Sequence, residues 1–249
     1  MMRGLRQPIL RATKKSALRQ VAPWFDSAGP PPSGGDPYFA NVALLLGFEG
    51  SDGSTTFVDE SPNPKTVTAN GNAQIDTAQS KFGSGSLLLD GSGDYLSIGN
   101  NADFGFGTAD FTAELFLRRA AGTSGDAPML DFRTSGSTNG MLYLTPTTRL
   151  LTYYNGSVFG GSGSAPAVDT WDHIAYARES GTLRAFLNGV QQWSPAMAGD
   201  FTTARPLSIG GNFAASSFIQ GHMDELRITK GVARYTANFA PPTSAFPRF

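Results

Sequence analysis

The chain has 249 residues and a formal net charge of −1 at pH 7, and only 16% of its residues are charged. It contains 30 glycines, 16 prolines and no cysteine, which excludes disulfides and thiolate metal sites and favours a turn-rich β protein. The near-neutral charge predicts no nucleic-acid partner. No apolar run approaches the ~18 residues of a membrane span, so we expect no membrane insertion.

Residues 1–26 form a basic arm that we expect to be extended or partly helical. No apolar stretch of ~7–15 residues follows its last cation, so the arm differs from a secretory signal. Two interpretations stay open: a disordered tail, which is common at chain termini, or an anchor that orders on a partner. The candidate anchoring residues are Arg3, Arg6, Arg11, Lys14, Lys15, Arg19, Trp24 and Phe25.

Residues 27–37 predict a linker, because three consecutive prolines are followed by Ser-Gly-Gly. Consecutive prolines favour a stiff polyproline II segment, whereas glycine and serine make a chain flexible. The sequence therefore divides into the arm, the linker and a domain over residues 38–249.

Within the domain, short apolar runs alternate with clusters of Gly, Ser, Asn and Asp. The Asn188-Gly189 pair predicts a type I′ hairpin. About eleven strands at this spacing predict an antiparallel β-sandwich or jelly roll. The predicted strands are Val42–Phe48, Ser86–Asp90, Tyr95–Ile98, Phe111–Leu117, Met129–Phe132, Met141–Leu144, Leu150–Tyr154, His173–Arg178, Thr182–Asn188, Leu207–Gly210 and Phe218–Thr229.

Four stretches of the domain resemble the laminin-G-like, concanavalin A-like jelly roll: residues 42–61, 81–96, 171–190 and 221–242. Within the last stretch, the residues Ile-Thr-Lys-Gly-Val-Ala-Arg-Tyr-Thr at 228–236 are similar to domains of tailed-phage structural proteins. The resemblance implies an all-β antiparallel jelly-roll sandwich. It implies little about activity, because this fold carries lectins, enzymes, adhesion modules and virion proteins.

The same resemblance implies a metal site. Related jelly rolls often hold one structural Ca²⁺ between the first and last strands, and this role falls on Glu49 and Asp224, with Asp90 as a third ligand. Two carboxylates and several backbone carbonyls satisfy the ~6–8 oxygen ligands of calcium. Strand alternation further predicts that Asp224 shares a face with Leu226 and Ile228. In the alternative interpretation, these carboxylates bond to arginines or turn amides.

The acidic residues lack the pattern of a glycosidase. Two carboxylates on one strand face need i and i+2 spacing, whereas Asp59-Glu60 and Asp224-Glu225 are adjacent and Glu114 stands alone. The chain also lacks a Gly-x-Ser-x-Gly elbow and a Walker loop. The sequence therefore predicts a non-enzymatic protein, and a polysaccharide-degrading enzyme with a site built from distant loops remains an alternative.

Three aromatic residues near predicted turns are candidate glycan-binding residues: Tyr153, Tyr154 and Trp193. Sugar sites combine an exposed ring for stacking with amide or carboxylate groups for the hydroxyls. In the alternative interpretation, one of the two tyrosines faces the core and the other is exposed without a ligand.

The resemblance to tailed-phage structural proteins, taken with the basic arm and the missing glycosidase pattern, implies a non-catalytic virion surface protein: a capsid decoration protein, head fibre or tail appendage. The arm would bind capsid or tail proteins, and the domain would stabilise the particle or contact a host-surface glycan weakly. Resemblance to phage appendages implies a homotrimer. A free-standing carbohydrate-binding lectin is the first alternative.

Overall fold

The computed structural model describes Met1 and residues 35–249, except residues 123–124, 137–138, 198–200 and 202–203. The candidate anchoring residues, from Arg3 to Phe25, and residues 27–34 of the predicted linker therefore lie outside the described residues. In the part of the chain that is described, no helix has the length and apolar character needed to cross a membrane.

The described residues form fifteen β-strands and two short 3₁₀ helices, Phe39–Asn41 and Ala102–Phe104. Eleven strands coincide with predicted ones, and the four that were missed (β2, β3, β10 and β13) have only three or four residues each. The strands are β1 (Val42–Leu46), β2 (Thr68–Asn70), β3 (Gln74–Asp76), β4 (Ser86–Asp90), β5 (Tyr95–Asn101), β6 (Phe111–Arg119), β7 (Ala127–Asp131), β8 (Met141–Leu144), β9 (Leu151–Tyr154), β10 (Val158–Gly160), β11 (Asp172–Glu179), β12 (Thr182–Leu187), β13 (Val190–Trp193), β14 (Arg205–Ile209) and β15 (Gln220–Lys230).

The strands pair into two antiparallel sheets. The front sheet has the order β13-β12-β11-β6-β15-β4-β3, and β1 also pairs with β15. The back sheet has the order β10-β9-β8-β7-β14-β5-β2. The chain crosses repeatedly from one sheet to the other, as in a jelly roll. The predicted fold class, an all-β antiparallel sandwich, is confirmed.

The inner faces of the two sheets enclose one large hydrophobic core. Ala113, Leu115 and Leu117 of β6 all belong to this core, which confirms the predicted inward face of that strand. Near one end of the core, the Phe106 and Phe111 rings stack with centroids 4.6 Å apart. Each large apolar side chain buried in this way contributes ~1.5–3 kcal/mol, so the inner faces hold the fold together.

The outer face of the front sheet is covered by residues 231–249, which we call the C-terminal strap. Phe246 packs against Phe116 of β6 in a separate apolar cluster. Tyr235 and Phe239 stack with ring centroids 3.6 Å apart and pack against the outer side of β11 and β12. The centre of the front sheet is therefore buried on both faces, which explains why β6 and β11 are buried almost continuously instead of alternately.

Candidate functional site

The predicted calcium ligands Glu49 and Asp224 contact the same loop, residues 81–84. Asp224 Oδ2 accepts hydrogen bonds from the backbone N–H groups of the first two loop residues, at 2.7 and 3.0 Å. Glu49 Oε2 accepts from the backbone N–H of the last loop residue at 2.9 Å and from its hydroxyl at 2.5 Å. The loop thus joins a carboxylate that follows β1 to a carboxylate of β15.

A bulge in β15 decides where Asp224 points. Glu225 has a φ of 50°, and the register between β15 and β6 shifts just after Asp224. Asp224 pairs with Phe116, which belongs to the outer apolar cluster, whereas Leu226 and Ile228 belong to the inner core. The prediction that these three residues share a face is wrong, because the extra residue of the bulge inverts the alternation.

One carboxylate oxygen of Asp224, Oδ1, is buried without a hydrogen-bond partner among the described residues. The residue as a whole is fully buried. Burial raises the pKa of Asp224 to about 7, against the lowering effect of the two loop N–H groups, and the Glu225 charge adds to the rise. A buried carboxylate of this kind is stabilised by a proton or by a cation.

Glu49 and Asp224 are both bonded to amides of this loop, as the alternative interpretation of these carboxylates expected, and a calcium ion at the loop stays a prediction. Gly83 leaves room for the Glu49 carboxylate, since a Cβ there would overlap its Oε1. Among the described residues, no group of three or more His, Cys, Asp or Glu side chains could hold a metal ion. A calcium ion here would therefore complete its ~6–8 oxygen ligands with backbone carbonyls and water.

Asp90 does not join this site. It lies at the far end of β4 from the loop, roughly 13 Å away at the rise of a strand. Its oxygens accept hydrogen bonds from the Ser92 backbone N–H at 2.7 Å and from Asn72 Nδ2 at 3.1 Å. The prediction of Asp90 as a third ligand is therefore wrong.

Glu114, which has no second acidic residue close to it in the sequence, lies under the strap, and both of its carboxylate oxygens have polar partners. Its Oε1 accepts from Arg227 Nη2 at 2.7 Å, and its Oε2 lies 3.1 Å from His173 Nε2 and accepts from the Tyr235 hydroxyl at 2.7 Å. Burial acts to raise the pKa of Glu114, but the Arg227 charge and the His173 contact prevail and hold it well below its usual range. Glu114 therefore has a structural role.

The same polar network reaches the first residues of the domain. Arg227 and Arg234 both donate to Asp36 Oδ2, at 3.0 and 2.6 Å. The Asp36 backbone N–H donates to the Phe249 carbonyl at 2.7 Å. Asp36, which the sequence analysis assigned to the linker, is buried in these contacts. The chain therefore enters the sandwich on the strap-covered side, beside its last residue.

Two of the three predicted glycan-binding aromatics lie in the core. Tyr153 is 1% exposed, Trp193 is 8% exposed, and both belong to the inner cluster. Trp193 Nε1 also donates to the Leu151 carbonyl at 2.6 Å. The prediction that these two rings contact a glycan is wrong, because alternation along β9 turns Tyr153 inward and leaves only Tyr154 outside.

Tyr154 belongs to an aromatic–guanidinium platform on the outer side of the back sheet, formed with Arg133 and Phe213. The guanidinium carbon of Arg133 lies 5.0 Å from the centroid of each ring. Asp131 accepts from Arg133 Nε at 2.9 Å and Nη2 at 2.8 Å, and also from the Phe213 backbone N–H at 2.9 Å. These contacts fix the platform before any ligand arrives.

The platform borders an open groove of about 360 Å³, lined by Asn100, Arg133, Thr134, Pro206, Ser208 and Phe213. Phe213 is 37% exposed. An exposed ring beside amide, hydroxyl and guanidinium groups can stack on the C–H face of a sugar while the polar groups bind its hydroxyls. The sequence analysis missed Arg133 and Phe213, although the i and i+2 spacing of Asp131 and Arg133 signals an ion pair near one face.

Comparison with known proteins places this architecture in a family. Residues 90–234 match the laminin G type 3 model, which describes the concanavalin A-like lectin/glucanases superfamily. The match covers more than half of the chain, and the chain belongs to this superfamily. None of the curated proteins compared with the chain matches it.

Two solved structures of proteins that interact with carbohydrates are similar in fold. Domain 4 of the extracellular GH43 arabinanase AbnA from Geobacillus stearothermophilus, in complex with arabinotriose, is 19% identical with a TM-score of 0.59, over 78% of this chain and 94% of that one. Botulinum neurotoxin type C, which interacts with two ganglioside molecules, is 13% identical with a TM-score of 0.57, over 78% of this chain. The chain spans about half the length of that toxin chain.

Proposed function

We propose that this chain is a non-catalytic surface component of a tailed-phage virion whose sandwich binds a host-surface glycan. The observation that carries the glycan part is the platform of Tyr154, Arg133 and Phe213 beside an open groove. The strap covers the outer face of the front sheet around β6 and β11, whereas the Phe213 ring on the outer side of the back sheet stays 37% exposed. The similar fold of the arabinotriose-bound arabinanase domain supports this assignment.

The proposal includes no bond-breaking step. Glycoside hydrolysis uses two carboxylates on either side of the scissile bond, ~5–10 Å apart. No Asp or Glu is among the described residues that line the groove. Glu114 is committed to its ion pairs and Asp224 to the 81–84 loop. Binding without turnover therefore accounts for the groove better than hydrolysis does.

The virion part of the proposal rests on the resemblance of residues 228–236 to phage structural proteins and on the basic arm. The arm would bind an acidic surface of capsid or tail proteins. Because Asp36 enters on the strap-covered side, an arm fixed to a particle would leave the back sheet facing the medium. Many copies on one particle would turn weak glycan contacts into avid adhesion.

The glycan part is tested by binding of the full chain to a glycan array. Phe213→Ala should abolish or strongly reduce the signal because it removes the exposed ring that lines the groove, and Tyr154→Ala should reduce it because it removes one of the two rings that hold Arg133. Tyr38→Ala is the matched control, since Tyr38 is also exposed but lies by the strap, over Arg234. Unchanged binding by both platform variants would remove the site from the proposal.

The virion part is tested by deleting residues 1–34, which spares the contacts of Asp36. The truncated protein should fold and remain soluble but fail to join particles assembled in its presence. Normal incorporation of the truncated protein would contradict the anchor.

A structural Ca²⁺ at the 81–84 loop completes the proposal, held by Glu49 and Asp224. Calcium at 100 times its dissociation constant would stabilise the fold by about 2.7 kcal/mol, seen as a higher melting temperature than in chelator. Glu49→Gln should remove this difference, and Asp90→Asn should keep it because Asp90 lies apart from the loop. Equal melting temperatures of the wild type with calcium and with chelator would end the calcium assignment.

A further inference from the structure

A polar cleft of about 360 Å³ lies at the rim of the sandwich, and the proposed function does not use it. It forms where the connections β4–β5, β6–β7 and β14–β15 come together. Its lining residues are Asp90, Gly91, Gly122, Gly125, Ser216, Ser217, Phe218 and Gln220. The volume falls within the ~300–1,000 Å³ of small-molecule sites.

Glycines keep the cleft open. Gly91 and Gly122 have φ values of 88° and 97°, in the left-handed region that favours glycine. A Cβ on Gly91 would stand 2.9 Å from Cβ of Gln220, and a Cβ on Gly122 would stand 3.8 Å from Gln220 Oε1. The Gln220 side chain is thus bordered by backbone, so a ligand can approach it closely.

Two polar side chains, an oriented Asp90 and a Gln220 with no bonded partner among the described residues, meet in the cleft. Asp90 is oriented by the Ser92 N–H and by Asn72 Nδ2, and each of its oxygens keeps a free lone pair. Gln220 is half-buried, and its side-chain amide makes no hydrogen bond to any described residue. An oriented carboxylate beside an amide with both a donor and an acceptor matches a pair of neighbouring hydroxyls, which also donate and accept.

The third wall is rigid and partly aromatic. Asn212 Oδ1 accepts from the Ser216 N–H at 2.8 Å, and the Asn212 N–H donates to the Ser217 carbonyl at 3.0 Å. The Phe218 ring is held against Tyr95 with centroids 6.2 Å apart. The wall therefore offers hydroxyls and an apolar ring edge with little ordering cost on binding.

Charge selects the class of ligand. Asp90 is the one charged residue among the described lining residues. Arg149, which donates to the Gly125 carbonyl at 2.7 Å, is not part of the lining. An anionic sugar would meet a carboxylate without a lining cation, which is unfavourable. A neutral sugar offers hydroxyls to every polar group present.

We propose that the rim cleft is a second glycan subsite that binds an uncharged sugar unit, with Asp90 and Gln220 holding neighbouring hydroxyls. The inference rests on the proposed glycan-binding function and adds a separate site and a preference for neutral sugars. The β14–β15 connection supplies Phe213 to the platform and Ser216–Phe218 to the cleft, so both sites share one rigid segment.

The test is an NMR titration of the ¹⁵N-labelled full chain with arabinotriose, maltotriose and trigalacturonic acid. A neutral trisaccharide should shift the backbone amides of Gly91, Gly122 and Gln220, and trigalacturonic acid should not. Gln220→Ala should weaken neutral-sugar binding at the cleft about tenfold, the cost of roughly 1.4 kcal/mol for a lost hydrogen bond. Ser217→Leu, which fills the cleft, should abolish it.

Gln74→Ala is the matched control, because Gln74 is a half-buried glutamine of the same sheet outside the cleft. Binding that Gln220→Ala and Ser217→Leu leave intact but Phe213→Ala removes would overturn the cleft and keep the proposed function. Tighter binding of trigalacturonic acid than of the neutral sugars at the cleft would overturn the charge argument. Failure of every sugar to bind anywhere would overturn both.

Discussion

The outer faces of the two sheets differ in what covers them. On the front sheet, the strap packs Phe246 against Phe116, and its Tyr235 hydroxyl donates to Glu114, which also pairs with Arg227 of β15 and His173 of β11. On the back sheet, Phe213 stays 37% exposed beside an open groove. The front sheet thus carries more charged and aromatic groups, but they are satisfied by each other. Charge and aromaticity mark a binding site only where the chain leaves them uncovered.

The largest effect that would sharpen this comparison is expected from Glu114→Gln. The substitution removes one of the two carboxylates that pair with the buried Arg227 guanidinium, the other being Asp36, and removing one partner of a buried ion pair costs up to about 3–5 kcal/mol. Urea unfolding measures the loss. Glu179→Gln is the control, because Glu179 is 40% exposed in its pair with Arg184 and should cost less than about 1 kcal/mol. Equal losses for the two variants would contradict a strap held by buried charge.

The same pair predicts a pH dependence. The pKa of Glu114 is lower in the folded protein than in the unfolded chain, where it is about 4.3. Its stabilisation is therefore complete above that pH and is lost as the pH falls towards the folded value. Unfolding free energies measured from pH 7 to pH 3 should fall more steeply for the wild type than for Glu114→Gln. Parallel curves would show that Glu114 does not carry the acid sensitivity.

A smaller loss of stability is expected for Phe246→Ala in the strap. Phe246 is 3% exposed and packs on Phe116, with the Arg227 guanidinium 3.9 Å from its ring centroid. Removing a buried Phe costs about 3 kcal/mol, and thermal or urea unfolding measures it. Phe249→Ala, which removes a ring that is 73% exposed, should change stability by less than about 0.5 kcal/mol.

The smallest effect on stability is expected on the back sheet. Phe213→Ala should change the unfolding free energy by less than about 1 kcal/mol, since the ring is exposed and its backbone N–H still binds Asp131. Its effect should appear in glycan binding instead. A loss of stability as large as that of Phe246→Ala would mean that Phe213 is a structural residue and would remove the contrast between the two faces.

The parts of this structure that follow from local pattern were predictable. The inward face of β6 follows from alternation, and the sandwich follows from the number and spacing of apolar runs. The short strands β2 and β13 have too few residues to show a period. The bulge at Glu225 could not be predicted from the sequence, because the residues around Asp224-Glu225 show the same pattern in a regular strand as at a bulge.

The candidate sites depended on long-range contacts and were predicted less well. Alternation required one of Tyr153 and Tyr154 to face inward, but only the packing of β9 against the core decides which one does. Phe213 lies beside Arg133 only because its loop folds back to Asp131, which is 82 residues earlier in the chain and accepts a hydrogen bond from the Phe213 backbone N–H. Family resemblance supplied Glu49 and Asp224 as calcium ligands, which stays a prediction; that both bond to the amides of one loop depends on long-range contacts between residues 49, 81–84 and 224.

The contact between Asp36 and Phe249 has a practical consequence. A fluorescent protein fused after Phe249 would emerge beside Asp36 on the strap-covered side of the sandwich, on the opposite sheet from the proposed glycan-binding platform. A tag inserted in the β14–β15 connection would instead disturb the segment that the platform and the rim cleft share. Imaging of labelled particles on cells should therefore use the C-terminal fusion, with adhesion expected to match that of unlabelled particles.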